Sequence, residues 1–243
     1  EILKRGLEIS MKAYFRAHAV KADPESIELY KLYKEAGIDV IHIGAEAGSD
    51  YELDMYWKDA KLEDNFRSFR VMDELDLFFM HNGFIMFGPY STMTTLRDNI
   101  RFLWEINRSF HYPNIDCTLI CTPGAAIHDQ MLKEGRLLPR ENFWDCPAYT
   151  FGDPRIPALA KHFMALRDIY PHTHSGDGSL ITAQNIISRF KNKMNKRVAE
   201  VCASDIEEFK AVFAKNKIIL NDLGYQGFLD SINRVEKDGP DAR

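Results

Sequence analysis

The sequence predicts an α/β fold: a run of βα units around a parallel sheet over residues 1–138, followed by a helical extension over residues 139–243. Two observations predict it. Through the first half, short apolar runs rich in β-branched residues alternate with segments of helical spacing, the pattern of right-handed βαβ units around a parallel sheet. Beyond about Ile127 the alternation stops and helical spacing continues without strands between. At 243 residues with 45% hydrophobic content, the chain is long enough to bury a real core.

The first ten residues read as a helix entered partway, because charges surround Ile2, Leu3, Leu7 and Ile9 and no capping residue precedes them. A β-type run over residues 11–22 ends at Asp23-Pro24, where an aspartate N-cap and a proline at the first helical position open a helix. Gly37 has the position and chemistry of its C-cap. Residues 38–45 (IDVIHIGA) are apolar at nearly every position, as in a parallel strand covered on both faces. Residues 62–75 form a helix carrying Phe66, Phe69 and Met72, and 78–87 another strand. A helix over 94–110 presents Leu96, Ile100, Leu103 and Ile106 on one face. A strand over 114–121 ends at the break Pro123-Gly124.

A net charge of -5 gives no overall basic field, so neither nucleic acid nor an anionic membrane surface is an expected partner. No apolar run approaches the roughly 20 residues of a membrane span, and the opening EILKRGLEIS lacks the apolar stretch of a signal peptide. Four irregularly placed cysteines do not form a secreted disulfide framework. The expectation is a cytoplasmic protein with reduced thiols.

In parallel α/β folds the functional loops leave the carboxyl ends of the strands. Here those ends are Lys21-Ala22-Asp23, the run Gly44 to Ser49 (GAEAGS), Gly88-Pro89 and Thr122-Pro123-Gly124. The stretch KADPESIELYKLYKEAGIDVIHIGAEAGSDYELDMYWKDAKLEDNFRSFRVMDEL resembles the radical S-adenosylmethionine (SAM) pattern. In that pattern an RAD-like strand end leads through a helix to AG and then to a GxE-S-G-like strand end. Further on, NGFIMFGP is similar to the strand that closes on the family's Gly-x-Pro turn, and CTPGAAIHDQMLKEGRLL to its TPxPGTPLYxxLxxEGRL segment. The likeness covers about residues 17–138, half of the chain.

The resemblance implies a partial barrel of radical SAM type in which this chain carries the third to sixth strands. It also implies a [4Fe-4S] cluster held by a CxxxCxxC motif, whose free iron binds the amino and carboxylate groups of SAM. This sequence contains no CxxxCxxC; Cys117 and Cys121 supply only the first spacing, so the ligands are expected upstream. Similarity to the class with a cobalamin-binding domain ahead of the barrel implies cobalamin. Methyl transfer to a small molecule then leads as the reaction, with oxidative cyclisation or rearrangement as the alternative. The implied partners are that small-molecule substrate and upstream cluster-binding and cobalamin-binding regions.

Residue by residue, Glu46 matches the strand-end group that contacts SAM. Lys21 stands where the family usually has arginine, which keeps the charge and loses the bidentate geometry. Lys58 matches a basic position that reaches the SAM carboxylate. Phe84 to Gly88 and Leu119 to Cys121 would supply backbone and apolar contacts to adenine. The plainer readings are a capping or ion-paired glutamate, surface lysines, core packing for Phe84, and buried thiols for Cys117 and Cys121. His18, His42 and His81 read as strand histidines in packing roles, the run HTHSGDGS (172–179) as a loop, and the basic cluster from Arg189 to Arg197 as a solvated helix face. Two rival readings remain: a complete, degenerate barrel that only binds, and an ordinary metabolic barrel. The second lacks an obvious late glycine loop for phosphate.

Overall fold

The structure, a computed structural model, describes residues 1–7, 9–109, 112–140, 142, 145–169 and 196–239. Three parallel strands form the sheet in the order β1 (Met11–Arg16), β2 (Ile38–Glu46) and β3 (Phe79–Phe84). Helix α1 (Pro24–Glu35) connects the first two. The short α2 (Asp50–Met55) and α3 (Leu62–Leu75) connect the second and third. Helix α4 (Met93–Glu105) follows β3, then the turn-length α5 (Tyr112–Ile115), α6 (Ala126–Lys133), α7 (Ile156–Ile169) and α8 (Lys196–Asp238). This is an α/β architecture with a small parallel sheet and helices, as expected.

Local chemistry sets these elements. Asp23 caps α1 by accepting from the Ser26 amide at 2.9 Å, with Pro24 in the first turn. Thr92 caps α4 in a reciprocal box with Thr95. On α4, Leu96, Ile100 and Leu103 are fully buried and Ile106, just past its end, is nearly so.

Four expectations need correction. Among the described residues of the first ten there is no α-helix: a 3-10 turn (Leu3–Arg5) stands there, closed by Gly6 in the left-handed region at φ 60. The first strand ends at Arg16 instead of running to residue 22, because a 3-10 turn (Ala17–Ala19) intervenes. Strand β2 is covered on one face, not two. Ile41, Ile43 and Ala45 are fully buried under the helices, whereas Val40, His42, Gly44 and Glu46 alternate with them on a half-buried face. The segment 114–121 is not a regular strand. Pro113 sits in a helical turn, and pairing is reduced to one parallel rung in which Phe87 donates to the Cys117 carbonyl and accepts from Leu119.

The main core joins β2, α3 and α4 to the last helices. Phe69, Met72, Leu96 and Ile100 share one buried cluster with Ile156, Leu159, Phe163, Phe228 and Ile232. Polar contacts reinforce the docking of α8 on α4: Arg97 pairs with Glu236 at 2.6 Å, and Trp104 donates to Asp222 at 2.7 Å. Among the described residues no helix is long and apolar enough to cross a membrane. The loop 172–179 and the basic residues Arg189 to Lys193 lie outside the described residues, as do the side chains of Lys196 and Arg197.

Candidate functional site

Glu46 is the last residue of β2 and lies in the left-handed region at φ 66, where a side chain is disfavoured. A register slip between Gly44 and Glu46 accompanies this conformation. Hydrogen bonds from one backbone amide and one side chain hold the backbone here. Its carbonyl accepts from Ile85 at 2.8 Å, and the Asn65 amide donates to the carbonyls of Ala45 (2.8 Å) and Ala47 (3.0 Å) that flank it. Asn65 is completely buried on α3. Strain of about 1–3 kcal/mol persists at such a residue only where its surroundings fix it, and here the carboxylate lies at the carboxyl end of the central strand, close over Gly44.

That carboxylate meets Lys58, whose Nζ lies 3.0 Å from Oε1. Both line a cleft of about 500 Å³, within the size range of small-molecule sites. Its walls include Tyr14, Arg16, His42, Tyr56 and Trp57, the last also at positive φ (51). The His42 ring lies 5.0 Å from Tyr14 and 6.3 Å from His81, its register partners on the neighbouring strands. Burial, with the positive charge of Lys12, pushes the imidazole pKa below its ordinary value against the opposing pull of Glu46. His42 therefore faces the cleft as a neutral ring at neutral pH.

Behind the cleft, Tyr56 packs against Gly88 so closely that a Cβ there would fall on its hydroxyl. Burial pushes that hydroxyl's pKa well above the usual range. A second buried cluster joins Tyr56 to Ala47, Leu53, Cys121, Ile127 and Met131.

Of the six residues singled out in the sequence, the structure brings Glu46 and Lys58 together. Lys21 is exposed, its amide donating to the Tyr30 hydroxyl at 3.0 Å, and it does not line the cleft. The Phe84 ring is buried and stacks on Phe102 at a centroid distance of 5.8 Å, in the helix-covered core and away from the cleft. Gly88 and Cys121 lie in the layer behind Tyr56, and burial raises the Cys121 thiol pKa. Sequence reasoning missed Asn65, Tyr56 and Glu52. Asn65 carried a signal: it falls on the apolar stripe of α3 with Phe69 and Met72, where a polar side chain must find buried partners.

The cleft has donors and an acceptor suited to SAM: a carboxylate for hydroxyl or ammonium groups and an ammonium for a carboxylate. An iron–sulfur cluster does not fit the residues present. Among the described residues no group of three or more His, Cys, Asp or Glu side chains converges to hold a metal, and Cys117, Cys121 and Cys146 form no disulfide.

No protein-family model matches the chain. It is 32% identical over 107 residues to the anaerobic magnesium-protoporphyrin IX monomethyl ester cyclase of Cereibacter sphaeroides, a match covering 43% of this chain and 17% of that protein. Among solved structures it is similar to the cobalamin-dependent S-adenosylmethionine radical enzyme OxsB with aqua-cobalamin bound, at a TM-score of 0.56 and 18% identity. The same enzyme with SAM also bound gives a TM-score of 0.54. Each likeness covers 98% of this chain and 44% of the solved one. The chain thus shares the fold of part of that enzyme, and spans less than half of the proteins it matches.

Proposed function

From the chain's relationship to the radical SAM enzymes of the cobalamin-dependent class, we propose that it supplies the SAM-facing part of such an enzyme. In this reading the three strands and the Phe87–Thr118 rung are strands three to six of the partial barrel. The cluster is held by a segment preceding this chain, and cobalamin by a further upstream region. Held by those regions, the cluster would supply an electron to SAM and cobalamin would carry a methyl group. The substrate is a small molecule, and methyl transfer or a related radical transformation is the reaction. Similarity to a cyclase favours oxidative ring closure as the second reading.

The observation that carries the proposal is the clamped, left-handed Glu46 paired with Lys58 at the mouth of the cleft. The two side chains are 25% and 40% exposed, and a pair so placed contributes about 0–1 kcal/mol. A ligand can therefore part them at little cost. Glu46 would then accept from the ribose hydroxyls or the amino group, while Lys58 would neutralise the carboxylate.

Glu46→Ala tests this in the polypeptide that carries the chain together with its cluster-binding segment. SAM affinity by calorimetry is expected to fall about tenfold, the loss of one charge-assisted hydrogen bond, with iron content unchanged. Unchanged affinity would remove Glu46 from the site.

A further inference from the structure

We infer that Glu52 is a positioning residue that locks the turn after β2 to the segment after β3, and so fixes the wall of the cleft on which Glu46 and Tyr56 stand. The inference rests on the SAM-site reading for its consequence, but on independent contacts for its geometry. Glu52 is completely buried, one helical turn before Tyr56. Each of its carboxyl oxygens reaches a different strand-end glycine through one intermediary. Oε1 accepts from the Ser91 hydroxyl at 2.7 Å, and the Ser91 Oγ in turn accepts from the Gly88 amide at 2.8 Å. Oε2 accepts from the Asn99 amide at 2.8 Å, and the Asn99 Oδ1 accepts from the Gly48 amide at 2.6 Å. Thr95 is the carboxyl group's third donor, reaching Oε1 at 3.2 Å.

The two glycines anchored in this way flank the cleft wall. Gly48 lies two residues beyond Glu46, and its Cα is pressed so closely against α4 that a Cβ there would lie 2.8 Å from the Asn99 Cα. Gly88 carries the Tyr56 ring. Stability alone gives no reason to place a carboxyl here. Burial raises its pKa despite the hydrogen bonds from Ser91, Asn99 and Thr95, and a well-packed apolar side chain in such a place is often neutral or stabilising. What the carboxyl provides, and a leucine does not, is two acceptors that tie two separate turns to one point.

Amide hydrogen exchange and SAM titration of Glu52→Leu and Glu52→Gln test the inference. Glu52→Leu is expected to retain a cooperative thermal transition while the Gly48 and Gly88 amides exchange about tenfold faster. In the cluster-bearing polypeptide SAM affinity falls by a similar factor. Glu52→Gln keeps the shape, with its oxygen toward Asn99 and its amide toward the two hydroxyls, and restores both. A folded Glu52→Leu with both glycine amides still protected overturns the inference. If Glu52→Leu does not fold, Ser91→Ala cuts one arm alone: selective release of Gly88 supports the lock, and release of neither glycine or of both overturns it. Failure of the SAM-site reading is separable. It shows as unchanged affinity in Glu46→Ala, whatever the exchange at Gly48 and Gly88.

Discussion

Replacing Gly88 by alanine puts the contact behind the cleft to a quantitative test. The added Cβ would fall on the Tyr56 hydroxyl, with Cζ 2.9 Å and Cε1 3.2 Å away, closer than carbon atoms pack. Only the cleft side of the ring is open. Tyr56 is only 6% exposed and shares its buried cluster with Leu53, Cys121 and Met131, so relief disturbs that packing or pushes the ring toward the cleft. Overpacking of this kind costs about 1–3 kcal/mol. In a domain of this size each kcal/mol moves the melting temperature by about 2–4 °C, so a cost of about 2 kcal/mol predicts a fall of about 6 °C. The backbone adds no strain, because Gly88 lies outside the left-handed region, and the stiffer unfolded chain offsets only about 0.4–1 kcal/mol. Thermal unfolding by circular dichroism measures the fall. Adding Tyr56→Phe removes the overlapping oxygen but leaves Cζ at its tight distance, so the double variant should recover about half of the loss. An unchanged melting temperature in Gly88→Ala, or no recovery in the double variant, would refute the packing argument.

Two further predictions concern titratable groups. The Cys121 thiol is buried and its pKa raised, whereas Cys146 is exposed, so iodoacetamide at pH 7.5 should label Cys146 at least about tenfold faster. Equal rates in peptide-level mass spectrometry would contradict the burial. His42 has its pKa lowered from 6.5, so its unfolded form takes up a proton before the folded form does. Its contribution is fully present above pH 6.5 and is lost as pH falls through the lower folded value. Wild type should therefore lose more stability than His42→Leu between pH 7 and pH 5. Glu52 carries the opposite sign: its raised pKa gives stability below about pH 4.5 that is lost as pH rises. Subtracting the variant's melting curve from that of wild type isolates the histidine. Parallel pH profiles would show that His42 does not titrate as a buried ring.

The order of strands and helices was legible because it depends on short-range signals. The Asp23-Pro24 cap, the apolar stripe of α4 and the β-branched run of β2 each act within a few residues, and each forms where expected. The paired charges were also within reach, since Glu46 and Lys58 fall in one recognisable segment. What failed were readings in which local pattern competes with geometry further away. Residues 114–121 are apolar enough for a strand, but a turn containing Pro113 leaves a single rung of pairing. The apolar character of β2 suggested cover on both faces, yet only contacts from α3, α4 and the last helices decide which face is covered, and they come to one side.

The sequence by itself determined the strands β2 and β3, the helices α1, α3 and α4, and which strand ends carry glycine and charge, because propensity, caps and periodicity are properties of neighbouring residues. Only the tertiary structure decided that Glu52 faces Ser91, Thr95 and Asn99, and that Asn65 clamps the backbone on both sides of Glu46. Those partners lie 18 to 47 positions apart. Nothing in the local pattern of either member announces the other, and it is the desolvation of a buried polar group, felt once the layers close, that selects them.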